Sequence, residues 1–186
     1  MLGIIPHTID QYLKQEVALD TRQAILVRAG FPYGHTFRID AEYDDKACCA
    51  LVGAAAVEMG TTTESVFDSI AEFFIEWAEQ NFSGFFQAAP DTRGFLLMQP
   101  DIHNSLACGL RSSAQRKVAD KFRVVALPDG VRLQYRSSNR LSYFYCALAR
   151  SLATRRGEIA EIIFVDGDHD SVASVIEVRL KPAQAV

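Results

Sequence analysis

The chain has 186 residues, 49% hydrophobic and 23% charged, with a formal net charge of −4. These proportions exclude a disordered chain, a collagen and a coiled coil. The acidic balance argues against a nucleic-acid binder that works through charge. The length suits one domain, 1–182, with a helical subdomain at 1–60, an α/β subdomain at 61–182 and a loose tail at 183–186.

The first two thirds read as helices. Ile5, Ile9, Tyr12, Leu13 and Val17 recur at helical spacing. Asp20 is placed to cap a second helix, which runs through Ala24, Ile25 and Val27 and stops at Gly30-Phe31-Pro32. Tyr43-Asp44-Asp45 opens a third, ending at Met59-Gly60. Thr61 and Glu64 are spaced as a capping box before a long helix that carries Val66, Phe67, Ile70, Phe73, Phe74 and Trp77. Gly84 to Pro90 reads as a turn-rich break, and Thr92 to Leu106 as one further helical segment.

The pattern changes near Lys121. Phe122 to Leu127 and Val131 to Tyr135 flank the turn Pro128-Asp129-Gly130 and predict a hairpin. Leu141 to Thr154 is helical. Ile159 to Val165 and Val172 to Leu180 predict a second hairpin, with the chain loose from Pro182. Helices followed by β-β-α-β-β make an α+β fold with a four-stranded antiparallel sheet.

The apolar run Ala47 to Val57 is too short to span a bilayer, which takes roughly 18 residues or more. The N-terminus lacks the basic and long apolar regions of a signal peptide. The four cysteines, Cys48, Cys49, Cys108 and Cys146, form no C-x-x-C pair. They read as reduced, mostly buried thiols of a cytoplasmic protein. No zinc-type cluster is visible, and Asp166-Gly167-Asp168-His169-Asp170 lacks the rest of a calcium loop.

Two constellations carry possible chemistry. His103 follows Pro100 and Asp101 at the start of a helix, beside Ile102 and Leu106. A neutral imidazole on an apolar helix suits either a core histidine or an axial iron ligand. Tyr135, Ser137 and Asn139 share one face of an extended strand. They form either a polar sheet face or a grip for a carboxylate or phosphate, with Arg136 and Arg140 adding charge.

Together these features resemble the haem nitric oxide/oxygen binding (H-NOX) family, the fold of the sensor domain of soluble guanylate cyclase. Met1-Leu2-Gly3-Ile4-Ile5 resembles the family's M-x-G-x-[IV] opening. Tyr43-Asp44-Asp45 resembles its Y-[DP]-D segment, and Ala50-Leu51-Val52-Gly53-Ala54-Ala55 its A-L-V-x-A-A segment. Phe95-Leu96-Leu97 with Asp101-Ile102-His103 is similar to F-L-x-x-x-D-x-[VI]-H, whose histidine is the proximal iron ligand. Tyr135-Arg136-Ser137 begins the Y-x-S-x-R signature that holds the haem propionates.

The resemblance implies haem b bound through His103 and held by Tyr135, Ser137, Asn139 and Arg140, with Leu97 among the lining residues. Two positions depart from the pattern: Asn139 stands where the family has arginine, and no proline precedes the first strand. Asparagine lacks the charge of the bidentate guanidinium grip. Oxygen-binding members carry a tyrosine nine residues after the signature tyrosine, where this chain has Phe144. Ile5, Phe74, Ile75, Phe144 and Leu148 then imply an apolar distal wall that takes nitric oxide or carbon monoxide and excludes oxygen. The resemblance further implies a signal passed to a separate protein, commonly a histidine kinase or a cyclic-dinucleotide enzyme, when the His103 tether is lost. The departures leave a second reading open: a haem-free module of the same fold that binds an apolar small molecule or a protein. A tetrapyrrole-reducing or peroxide-consuming enzyme is disfavoured, because that wall offers no polar acid or base.

Overall fold

The structure is a computed structural model that describes residues 2–107, 122–136 and 141–183. Its packing divides the chain within one helix into two compact units, Met1–Phe74 and Ile75–Val186.

The first unit is helical. It holds α1 (Ile4–Glu16), α2 (Leu19–Arg28), α3 (Asp45–Met59) and the start of α4 (Thr63–Asn81). Apolar residues at helical spacing close its interior: Leu13, Ile25, Leu26, Leu51 and Ile70 are fully buried. A buried ion pair joins α1 to α2, with Arg22 Nε donating to Asp10 Oδ1 at 2.7 Å. Gln23 Oε1 accepts the Gly34 N–H at 2.7 Å, so buried polar side chains of α2 hold the segment that follows it. Gly3 sits where a Cβ would meet the Arg38 carbonyl oxygen at 2.0 Å, so only glycine fits there.

Two caps differ from expectation. The residue before α2 is Ala18, with no side-chain cap, and Asp20 lies inside the first turn, where its charge faces the positive end of the helix dipole. Before α4 it is Thr62, not Thr61, whose hydroxyl accepts the Ser65 N–H at 3.1 Å. Asp44 caps α3 by accepting the Ala47 N–H, and Gly60, at φ 65°, ends it in the left-handed region.

The second unit contains the end of α4, three short helices, a sheet and one longer helix. The short helices are α5 (Ser83–Ala88), α6 (Thr92–Leu97) and α7 (Gln99–Ala107). The expected break at Gly84 to Pro90 therefore contains a helical turn, with no buried residue and no side-chain cap. The expected single segment from Thr92 is interrupted at Met98, because Pro100 has no N–H to continue a helix begun upstream. Strands β1 (Phe122–Leu127), β2 (Gly130–Arg136), β3 (Glu158–Asp166) and β4 (Ala173–Pro182) pair antiparallel in the order β1-β2-β4-β3. Helix α8 (Ser142–Arg155) separates the two hairpins in sequence. This is the expected α+β architecture of helices followed by a four-stranded antiparallel sheet.

The inner sheet face carries Val131, Leu133, Tyr135, Ile176 and Val178. These pack in one core with Tyr145, Cys146, Ala149 and Leu152 of α8 and with Phe95, Leu96 and Ile102. Arg93 Nε bonds the Leu127 and Gly130 carbonyls at 2.9 and 3.1 Å, which ties α6 to the first hairpin turn. Pro182 is not loose: it pairs with Glu158 as the end of β4, and the Ala183 N–H donates to Gly157 O at 2.8 Å. The loop Asp166 to Asp170 is a turn, in which Asp168 Oδ1 accepts from Asp170 N–H and Ser171 Oγ. Among the described residues no group of three His, Cys, Asp or Glu side chains is placed to hold a metal ion, and no helix is long and apolar enough to cross a membrane.

Candidate functional site

His103 is the fifth residue of α7, one turn beyond Gln99. Asp101 in the first turn suits the helix dipole. Ile102 is buried, and Leu106 packs against the same core, so that flank of the helix faces the sheet. His103 is half-buried, with its ring stacked on Phe122 at 4.6 Å and an interplanar angle of 26°. Phe122 opens β1, and the strand register pairs it with Tyr135 of β2, whose ring lies 5.1 Å away. Tyr145 of α8 approaches the same phenylalanine at 6.3 Å. One apolar ring thus gathers an imidazole and two phenols from α7, β2 and α8.

Around these rings the unit is apolar. Leu97 and Leu148 are half-buried against the core that contains Ile75. On α8, Phe144 is buried, and Leu148 is one turn further along the same face. Tyr145, Ala149 and Leu152 lie on the face that packs into the sheet core. Ile5 and Phe74 belong to the first unit, both half-buried, on α1 and α4. Ser137, Asn139 and Arg140 lie outside the described residues, as does Cys108.

Two features were not visible in the sequence. Phe122 reads there only as a strand residue, and nothing in its spacing announces that it stacks on His103. Helical spacing turns Tyr145 away from Phe144, yet its hydroxyl is buried and has no hydrogen-bond partner among the described residues. Burial raises its pKa well above the ordinary tyrosine range. The neighbouring Cys146 thiol is pushed up to about 12 by the same desolvation. Cys48, Cys49 and Cys146 are free thiols, with Cys49 only half-buried.

The donor set limits what this place can bind. Among the described residues no group of three His, Cys, Asp or Glu includes His103, whereas a bare divalent ion needs three or four protein ligands. A single imidazole suits an iron whose equatorial positions are filled by a macrocycle. Flat aromatic and branched apolar neighbours suit the faces of such a ring. An orphaned hydroxyl suits a polar atom on the ring or on its ligand, since an unsatisfied buried donor costs about 1–3 kcal/mol. The residues present fit haem.

Comparison with known proteins agrees with this chemistry. A family described as HNOB, Haem-NO-binding, matches residues 2–162. Among solved structures, an H-NOX protein from S. oneidensis in the Fe(II)NO state is similar with a TM-score of 0.80 at 14% identity, over 97% of this chain and 99% of that one. The Fe(II) unliganded H-NOX protein from K. algicida is similar with a TM-score of 0.79 at 16% identity, over 100% of both chains. An oxygen-binding H-NOX domain related to soluble guanylate cyclases, in its oxygen complex, is similar with a TM-score of 0.75 at 16% identity, over 100% of this chain and 98% of that one. At these identities the structural likeness establishes the fold. No curated protein sequence matches the chain.

Proposed function

Because the chain belongs to the haem-NO-binding (H-NOX) family, a family of gas-sensing domains and not of enzymes, we propose that it binds haem b through His103 and senses nitric oxide. The observation that supports this reading is that the rings of His103 and Tyr135 both contact Phe122. These are the two most specific motif positions that the structure describes.

In this proposal His103 Nε2 holds the iron, with α7 as its lever. Tyr135, Ser137, Asn139 and Arg140 hold the propionates, and Asn139 contributes hydrogen bonds without charge. Leu97 and Ile75 would exclude water, and Phe144 and Leu148 of α8 would line the gas side. When bound, ferrous haem supplies an open coordination position for a diatomic gas. Stacking on Phe122 orients the His103 ring between α7 and β1, so a change in what His103 holds would shift α7 and the surface a separate signalling protein would read. A histidine kinase or a cyclic-dinucleotide enzyme is the proposed recipient.

The direct test is addition of haemin to the purified protein. A Soret band, with five-coordinate ferrous haem after reduction and a nitrosyl adduct on exposure to nitric oxide, is expected. A folded sample that gains no Soret band overturns the proposal in favour of the haem-free module.

One observation favours a different ligand choice within the same function. The orphaned phenol of Tyr145, one residue beyond Phe144, is a donor of the kind bound oxygen uses. The ferrous protein in air decides between the two. On the apolar-wall reading no stable oxygen complex forms, while carbon monoxide and nitric oxide bind. A stable oxygen spectrum that disappears in Tyr145→Phe shows instead that this hydroxyl reaches the gas.

A further inference from the structure

The outer face of the sheet mixes exposed apolar residues such as Val125 and Ile163 with charged ones, and at one end the charges are neutralised. Arg132 of β2 donates to Glu177 of β4 at 2.9 Å. Arg179 bonds Asp129 at 2.7 and 2.9 Å and Glu177 at 2.6 and 3.0 Å. These two arginines hold the Glu177 carboxyl below the usual carboxylate range. Lys181 and Glu161 form a further pair at 2.6 Å.

The other end of the same face differs. Arg123 of β1 lies in register with Gln134 of β2, and Arg136 is two residues further along β2, so all three project from the outer face. All three are exposed. Neither Arg123 nor Arg136 has an acidic partner among the described residues. They line a cleft of about 410 Å³ together with Gln134, Asp166 and the core-side residues Tyr135 and Ser174. Asp166 is the one carboxylate among the lining residues, and its Oδ1 already accepts the Gly167 N–H at 3.0 Å. The cleft is therefore net positive on a chain whose net charge is −4.

We propose that this cleft binds a phosphate-bearing small molecule. Two guanidinium forks on adjacent strands match the oxygens of one phosphate, and charge-assisted bonds of this kind are the strong class. The volume exceeds that of a bare ion and falls in the range of small-molecule sites. Gln134 and Asp166 supply acceptors for hydroxyl or amino groups carried beside the phosphate. Arg123, Gln134 and Arg136 lie on the face of the sheet opposite the Leu133 side chain, whereas Tyr135 and Ser174, which also line the cleft, alternate to the core side. Arg136 directly follows Tyr135 in β2, so an occupant would also bias the strand that carries the proposed propionate grip.

Calorimetry with inorganic phosphate and with adenosine monophosphate, at one ionic strength set by sodium chloride, tests the site. Saturable binding of at least one probe is expected, weakened tenfold or more in Arg123→Gln and in Arg136→Gln, and unchanged in Arg132→Gln, whose side chain is committed to Glu177. Arg136→Lys is expected to restore part of the affinity, since it keeps the charge and loses the fork. These side chains are exposed, and circular dichroism checks that each variant is folded. Absence of saturable binding by either probe overturns the proposal. Equal weakening by Arg132→Gln also overturns it, because that result reports diffuse charge and not a site.

Discussion

His103→Ala, mixed with haemin and reduced, is expected to show no five-coordinate ferrous spectrum, and added imidazole is expected to restore one. The chain contains four histidines, and the other three are poorly placed to substitute. His7 Nδ1 is hydrogen-bonded to the Phe37 carbonyl at 2.9 Å. His35 stacks on Phe31 at 5.0 Å in the first unit. His169 lies in the hairpin turn, packed on Phe164 at 4.4 Å. Only His103 stands on a helix whose flank is apolar and whose ring meets the aromatic cluster of β1 and β2. The substitution also removes the stack on Phe122, at a cost of about 1 kcal/mol to the haem-free protein. The apoprotein therefore remains folded, so lost haem binding is separable from lost structure. Cavity rescue by imidazole follows from the same geometry, because alanine leaves the space of the ring beside Phe122. A spectrum identical to that of the unchanged protein would assign the iron to another residue.

The path from sequence to site was uneven for physical reasons. Helices and strands were legible because their apolar periodicity is dictated by burial on one face, as with Ile9 and Leu13 on α1 or Val131, Leu133 and Tyr135 on β2. The antiparallel sheet followed from two turn signals, Pro128-Asp129-Gly130 and the Asp166 to Asp170 loop. Cap identity was less legible. Thr61 and Thr62 are the same residue type one position apart, and only the backbone angles at the helix entry decide which hydroxyl reaches an N–H. The start of a new helix at Pro100 was legible, because proline suits the first turn of a helix, and α7 begins at Gln99. Pairwise facts were invisible. That Phe122 stacks on His103 depends on register and on the crossing of α7 over β1, neither of which spacing encodes. Helical rotation turns Tyr145 away from Phe144. Its significance lies in an unpaired hydroxyl, a property of the surroundings and not of the residue. The resemblance to the family implied what periodicity could not, that His103 and Tyr135 serve one site, and the structure brings both rings onto Phe122.

Arg22→Met is expected to destabilise the first unit by about 3–5 kcal/mol, the usual cost of leaving one half of a buried ion pair behind. Asp10 is only 1% exposed and Arg22 5% exposed, so neither charge is hydrated. Lys14, one turn along α1, touches Asp10 Oδ2 at 3.0 Å, but its own side chain is 41% exposed. It neutralises the carboxylate in part, without filling the space of the guanidinium. Arg22 also donates to the His35 carbonyl at 3.2 Å, so the variant releases the segment after α2 along with α1. The double variant Asp10→Leu with Arg22→Met is expected to recover most of the loss, because replacing both ions with apolar groups removes the desolvation cost of each. Chemical denaturation of the wild-type, single and double variants measures this directly. A single variant that loses less than about 1 kcal/mol would mean that the pair behaves as a hydrated surface bridge.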